Sequence, residues 1–125
     1  MQYLKTYLKK ITDRGNTKLA ESIEKTANDV GNKHIKTFSF SSHEIGLLLG
    51  NVQSGKTGQM FGIICKAADL GFPVFVLLTT DNVVLQQQTL DRVRADLEGF
   101  CICGENDAAL FAENNLMDPV IIVLK

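Results

Sequence analysis

Residues 50–57 read Gly50-Asn51-Val52-Gln53-Ser54-Gly55-Lys56-Thr57, a full match to G-x-x-x-x-G-K-S/T. No other stretch restricts the fold as much, because each fixed position has a physical task. Gly50 and Gly55 permit backbone torsions that a side chain blocks. The loop can then turn its amide hydrogens inward as an anion-binding nest. A helix starting at that point adds the positive end of its dipole. Lys56 is placed to bridge the outer two phosphates of a nucleotide, and the Thr57 hydroxyl to ligate the magnesium those phosphates share. A glycine-rich turn beside an unrelated lysine would give the same letters. What separates the two is context: a buried strand before the loop and an amphipathic helix after it.

Both are written in the pattern. Residues 44–49 form an apolar run of buried-strand character that leads straight into the loop. From Lys56 to Gly71, Met60, Phe61, Ile63, Ile64, Ala67, Ala68 and Leu70 make a wide helical stripe. Pro73 opens a second strand over 74–78. Thr79-Thr80-Asp81 turns the chain, with Asp81 a candidate cap for a helix over about 82–97 that directs Leu90, Val93 and Leu97 inward. Residues 100–118 read as irregular, with a helical turn around 108–111, and Pro119 opens a third strand over 120–124. Strand, helix, strand, helix, strand predicts an α/β fold built on a parallel sheet.

Residues 1–35 read as a helical N-terminal extension packed on the domain that occupies 36–125. Leu4, Leu8 and Ile11 recur at helical spacing, Gly15-Asn16 breaks the first helix, and Leu19, Ala20, Ile23 and Ala27 line a second that Gly31-Asn32 ends. Residues 36–40 read as a short strand or a loop, with Phe38 and Phe40 alternating with polar neighbours.

Composition closes several alternatives. The 125 residues suit one domain, and a hydrophobic share of 45% supplies a packed core rather than disorder. A net charge of −1 announces neither a general nucleic-acid field nor a cationic partner. The apolar runs are strand-sized, too short to span a membrane, and the N-terminus has no signal-peptide core. Three cysteines are an odd count that argues against a disulfide scaffold and fits a reducing cytoplasm.

From Leu47 to Leu97 the chain resembles the first RecA-like domain of superfamily 2 helicases and translocases, and most nearly the Z-one-domain ATPases found with restriction-type endonucleases. The resemblance rests on the loop Gly50 to Thr57, Lys66-Ala67-Ala68-Asp69-Leu70-Gly71, Thr79-Thr80-Asp81-Asn82, Leu85-Gln86-Gln87-Gln88-Thr89 and Arg92. It implies ATP and magnesium as ligands, DNA as the partner of the intact protein, and phosphate contacts from Thr79, Thr80 and Asn82. Uncharged hydroxyl and amide donors suit such contacts, which position a protein without reading sequence. The plainer reading of 79–82 is a turn and helix cap, and that of Gln86, Gln87 and Gln88 is a solvated helix face with one member packed.

One departure stands out. ATPases of this kind hold magnesium and orient water with an acid at the end of a later strand, and no hydrophobic run followed by Asp-Glu comes after Leu97. Asp81 follows a strand but belongs to the unit that faces DNA in the family. A second RecA-like lobe with its arginine finger is also missing. The expectation is an N-terminal fragment whose downstream half, with a nuclease domain, lies elsewhere, and which alone hydrolyses ATP slowly or not at all.

Other residues carry plainer readings. Cys101-Ile102-Cys103 lacks the four ligands and C-x-x-C spacing of a zinc site, so these thiols and Cys65 read as structural. His43 and Glu44 read as surface residues, and Lys5, Lys9 and Lys10 as a solvated stripe. Three functions compete: an ATP-driven DNA translocase module of a restriction, defence or repair system; an ATP-dependent switch or assembly module that does not move on DNA; and a small-molecule kinase, which the segment 79–89 does not resemble.

Overall fold

In a computed structural model, which describes residues 2–49, 55–79, 82–105, 107 and 118–124, the chain divides into two compact units, Gln2–Leu70 and Gly71–Lys125. The first is helical. It holds α1 (Tyr3–Asp13), α2 (Thr17–Val30), a π-helical turn (Gly31–Ile35) and α3 (Lys56–Asp69). The second holds a sheet and a helix: β1 (Val74–Leu78), α4 (Val83–Asp96), β2 (Cys101–Cys103) and β3 (Val120–Leu124). The division falls between Leu70 and Gly71, so α3 groups with the two N-terminal helices.

In the helical unit α1 buries Leu4, Tyr7 and Ile11, which share one face by their spacing of three and four. Leu8 is half-buried. Gly15, at φ 86°, makes the turn that an L side chain resists. Asn16 then caps α2, its Oδ1 accepting from the Leu19 amide at 3.3 Å. Ala20, Ile23 and Ala27 are the buried face of α2. α2 ends at Val30 with Gly31 as its C-cap, as expected, but Gly31 makes no sharp turn. It keeps helical torsions of −60° and −47°, and the chain continues through a wider turn in which the Lys36 amide donates to the Gly31 carbonyl at 2.7 Å. Glycine here serves space rather than turning: a Cβ at this position would lie 2.5 Å from Lys66 Cγ of α3.

The strand expected at 44–49 is not formed. These residues make no ladder among the described residues, and Ile45, Leu47 and Leu49 are 85%, 83% and 80% exposed. An apolar run states that a segment suits a strand, but the strand itself consists of hydrogen bonds to a neighbour. Upstream, residues 36–42 are turns and coil, and Phe38 and Phe40 meet edge to face with centroids 5.1 Å apart.

The sheet of the second unit is parallel, with the order β1-β3-β2. Val74 pairs with Val120 and Leu78 with Leu124 on one side, while Cys101 pairs with Val120 on the other. β3 is central, and Val120, Ile121 and Val123 are buried accordingly. β2 is a strand where the sequence read as irregular, whereas the expected turn at 108–111 lies outside the described residues. Asn82 caps α4, its Oδ1 accepting from the Val84 amide at 2.8 Å and the Leu85 amide at 3.3 Å. Leu90, Val93 and Leu97 are buried, as the spacing predicts. The fold is α/β with a small parallel sheet. Among the described residues no helix is long and apolar enough to cross a membrane.

Candidate functional site

Of the loop motif, Gly55, Lys56 and Thr57 lie among the described residues, while Gly50, Asn51, Val52, Gln53 and Ser54 lie outside them. Gly55 sits at φ 74°, ψ 36°, the left-handed region that glycine reaches without strain. The next residue, Lys56, is already the first of α3, and the Gln59 amide donates to the Gly55 carbonyl at 2.9 Å as the first helical bond. Gly55 has no side chain to cap this end, and a helix leaves its first-turn amides without intrahelical acceptors. Lys56 and Thr57 are both exposed on that turn. A left-handed glycine, a helix N-terminus with no side-chain cap, an exposed ammonium and an exposed hydroxyl converge here within three residues. Backbone amides and an ammonium can donate to an anion, a hydroxyl oxygen can ligate a cation, and the first turn carries no acidic residue to repel an anion.

The flank of α3 behind this end was not legible as part of the site. Gly55, Gly58, Gly62, Lys66 and Asp69 follow one another at intervals of three and four, and all meet the N-terminal helices. A Cβ on Gly62 would stand 2.4 Å from Ile23 Cγ2, and one on Gly58 would be 3.3 Å from Ile23 Cδ1. The Tyr7 hydroxyl donates to the Gly58 carbonyl at 3.3 Å, and Tyr7 meets Phe61 edge to face at 6.3 Å. The Gln59 side-chain Nε2 donates to Ser22 Oγ at 2.9 Å, but its Oε1 is buried without a hydrogen-bond partner among the described residues. Asp69 accepts from the amides of Tyr3 at 2.7 Å and Leu4 at 3.2 Å. The sequence signal was the run of glycines at helical spacing, which marks close helix approach, rather than the larger apolar residues.

The candidates of the second unit are differently engaged. Thr79 extends the β1–β3 ladder: its amide donates to the Leu124 carbonyl at 2.8 Å and its hydroxyl to the same oxygen at 2.9 Å. Asn82 is the α4 cap already described, so its carbonyl oxygen is committed to two amides. Thr80 and Asp81 lie outside the described residues, and the cap expected of Asp81 is supplied by Asn82. Gln86 is the packed member of its trio, its Nε2 donating to the Val123 carbonyl at 3.3 Å. Gln87 instead reaches Asp91 along the helix surface at 2.8 Å.

The thiols and the surface charges lie apart from the loop motif in the sequence. The sulfurs of Cys101 and Cys103 are 3.9 Å apart on one face of β2. Burial, then the hydrogen bond with Cys101 and the charge of Asp107, push the Cys103 thiol up to about 11. Burial above all, then the nearby Asp69 charge, push Cys65 far up as well. Both are poor thiolates and hence poor nucleophiles. Glu44 pairs with His34 at 2.8 Å on the surface, and Lys9 lies 4.0 Å from Asp13. Among the described residues no three His, Cys, Asp or Glu side chains converge on a metal position. Comparisons with family models, with curated proteins and with solved structures give no match.

Proposed function

We propose that this chain binds ATP with magnesium at the segment Gly50 to Thr57, as the nucleotide-binding part of a helicase-like or translocase-like ATPase of a restriction, defence or repair system acting on DNA. The observation that carries the reading is the left-handed Gly55 at the uncapped start of α3, with Lys56 and Thr57 exposed beside it. In this reading the backbone amides from Gly50 to Gly55 cradle the inner phosphates. Lys56 neutralises the outer ones, and Thr57 gives magnesium one oxygen while the phosphates give others. Titration calorimetry with ATP and magnesium is expected to give saturable binding that Lys56→Ala removes while leaving the circular dichroism spectrum unchanged. Equal binding by the variant would refute the assignment.

A second reading, a nucleotide-dependent switch or assembly module that does not travel on DNA, is favoured by one feature of the sheet unit. Both Thr79 and Asn82, two of the three residues expected to meet nucleic-acid phosphates, already satisfy backbone groups of their own unit. Single-stranded and duplex DNA added with ATP decides between the two. DNA-stimulated hydrolysis by the intact protein supports the motor, and ATP binding indifferent to DNA supports the switch.

A further inference from the structure

We infer that the α1–α2 hairpin sets the geometry of Gly55 and the start of α3 in the nucleotide site, with Leu19 as the positioning residue at Gly55, an inference that rests on the nucleotide-site reading above.

Apart from the chain neighbours of Gly55, Leu19 alone among the described residues has an atom within 4 Å of where a Cβ on Gly55 would stand, and that atom, Cδ1, is 2.9 Å away. Gly55 is therefore held twice. Its torsions need glycine, and its surface is the floor on which a leucine of another helix rests. Several other hairpin contacts fall on the same end of α3. Ile23 covers Gly58 and Gly62, Tyr7 donates to the Gly58 carbonyl, and Ser22 receives the Gln59 amide. These residues occupy the first two turns of α3, immediately behind Lys56 and Thr57. Packed interiors do not deform continuously, so a shift of Gly55 must displace Leu19 or open a void beside it.

Ligation at the loop and packing of the hairpin are then one linked equilibrium. A nucleotide that fixes Gly55 tightens the seat of Leu19, and a well-seated Leu19 favours the loop geometry that nucleotide requires. The two effects are equal in free energy. Leu19 touches no ligand in this scheme; it acts through the backbone it supports.

The experiment uses the whole chain and titrates ATP with magnesium into the wild type, Leu19→Ala, Leu19→Met and Ile11→Val. Leu19→Ala is expected to weaken binding by about five- to tenfold, and Leu19→Met to restore most of it. Ile11→Val trims a buried residue of the same hairpin that does not approach Gly55, and it is expected to lower thermal stability without changing affinity. ATP is further expected to slow amide exchange in the first turn of α2 in the wild type but not in Leu19→Ala. If Leu19→Ala does not fold, Leu19→Val poses the same question with a smaller void. Undiminished affinity in folded Leu19→Ala or Leu19→Val overturns the inference, and so does equal weakening by Ile11→Val, which would mark simple destabilisation. Absence of binding by the wild type overturns the nucleotide-site reading itself and this inference with it.

Discussion

The helical unit and the sheet unit bury their apolar surface by opposite means. In the helical unit small residues bring backbones close. Gly58 and Gly62 let Ile23 lie directly on α3, and Ile23, Ala27 and Phe61 are left with almost no exposed surface. The sheet unit relies on a central strand. β3 is closed in by β1 on one edge and β2 on the other, but along β1 Val74, Val76 and Leu78 stay 44%, 52% and 76% exposed. Parallel sheets are ordinarily covered on both faces, and here the alternate residues of β1 are open. Packing by close approach thus completes a core within the unit, whereas the three-stranded parallel sheet shelters its middle strand most, at Val120, Ile121 and Val123.

The contrast can be broken most directly at its extremes. Ile23→Ala is expected to cost about 2–5 kcal/mol, because nothing in a glycine-lined seam can fill the void. Urea unfolding followed by tyrosine fluorescence reads this unit selectively, since both tyrosines, Tyr3 and Tyr7, lie in it and the chain has no tryptophan. A loss below about 1 kcal/mol would mean that the seam is loosely packed. Gly62→Ala sharpens the same point through its sign. On an exposed helix the change stabilises by about 1 kcal/mol, but here the new methyl meets Ile23, and a net loss of about 1–2 kcal/mol is expected from the same unfolding curves. Stabilisation by Gly62→Ala would show that the two helices do not approach as described.

Each unit also buries one strongly shifted thiol, so each loses stability in alkali. In the unfolded chain a cysteine ionises near its ordinary value of about 8.5, while folded Cys103 holds its proton to about 11 and Cys65 higher still. Below pH 8.5 or so both states are protonated and the thiols have no effect on stability. Above it the unfolded state releases protons first, and the urea midpoint is expected to fall as pH rises toward 11. Cys103→Ala should flatten the part of this decline that belongs to the sheet unit. The smallest effect is expected on the open strand: Val76→Thr should change stability by no more than about 0.5 kcal/mol. A cost several times larger would mean that this face is covered.

Most of the elements were legible because their signals are local. Periodicity and breakers place α1, α2, α3 and α4, and the apolar runs bounded by Pro73 and Pro119 place β1 and β3. What failed depends on partners. β2 is three residues long and exists through its pairing with β3, which no local pattern announces. The run 44–49 has strand composition but no ladder among the described residues. The order β1-β3-β2 is likewise a matter of which edges meet. In the site, Gly55, Lys56 and Thr57 stand where the motif placed them, at the start of a helix. Leu19 and Ile23 were read only as an apolar helix face, because what they touch is set by glycines some 35–40 residues away, an approach that no local pattern shows.

Asp69 brings a last consequence. The first turn of α1 has no acidic residue and its N-cap, Gln2, makes no side-chain bond, so the carboxylate that receives the Tyr3 and Leu4 amides comes from the far end of α3. An isolated helix of 11 residues is marginal in water. On the ribosome the start of α1 emerges before its cap, which is translated 65 or 66 residues later. At ordinary synthesis speeds of about 5–20 residues per second that is a wait of roughly 3–13 seconds. α1 is therefore made well before the residue that secures its N-terminus, and its first turn waits uncapped until α3 is complete.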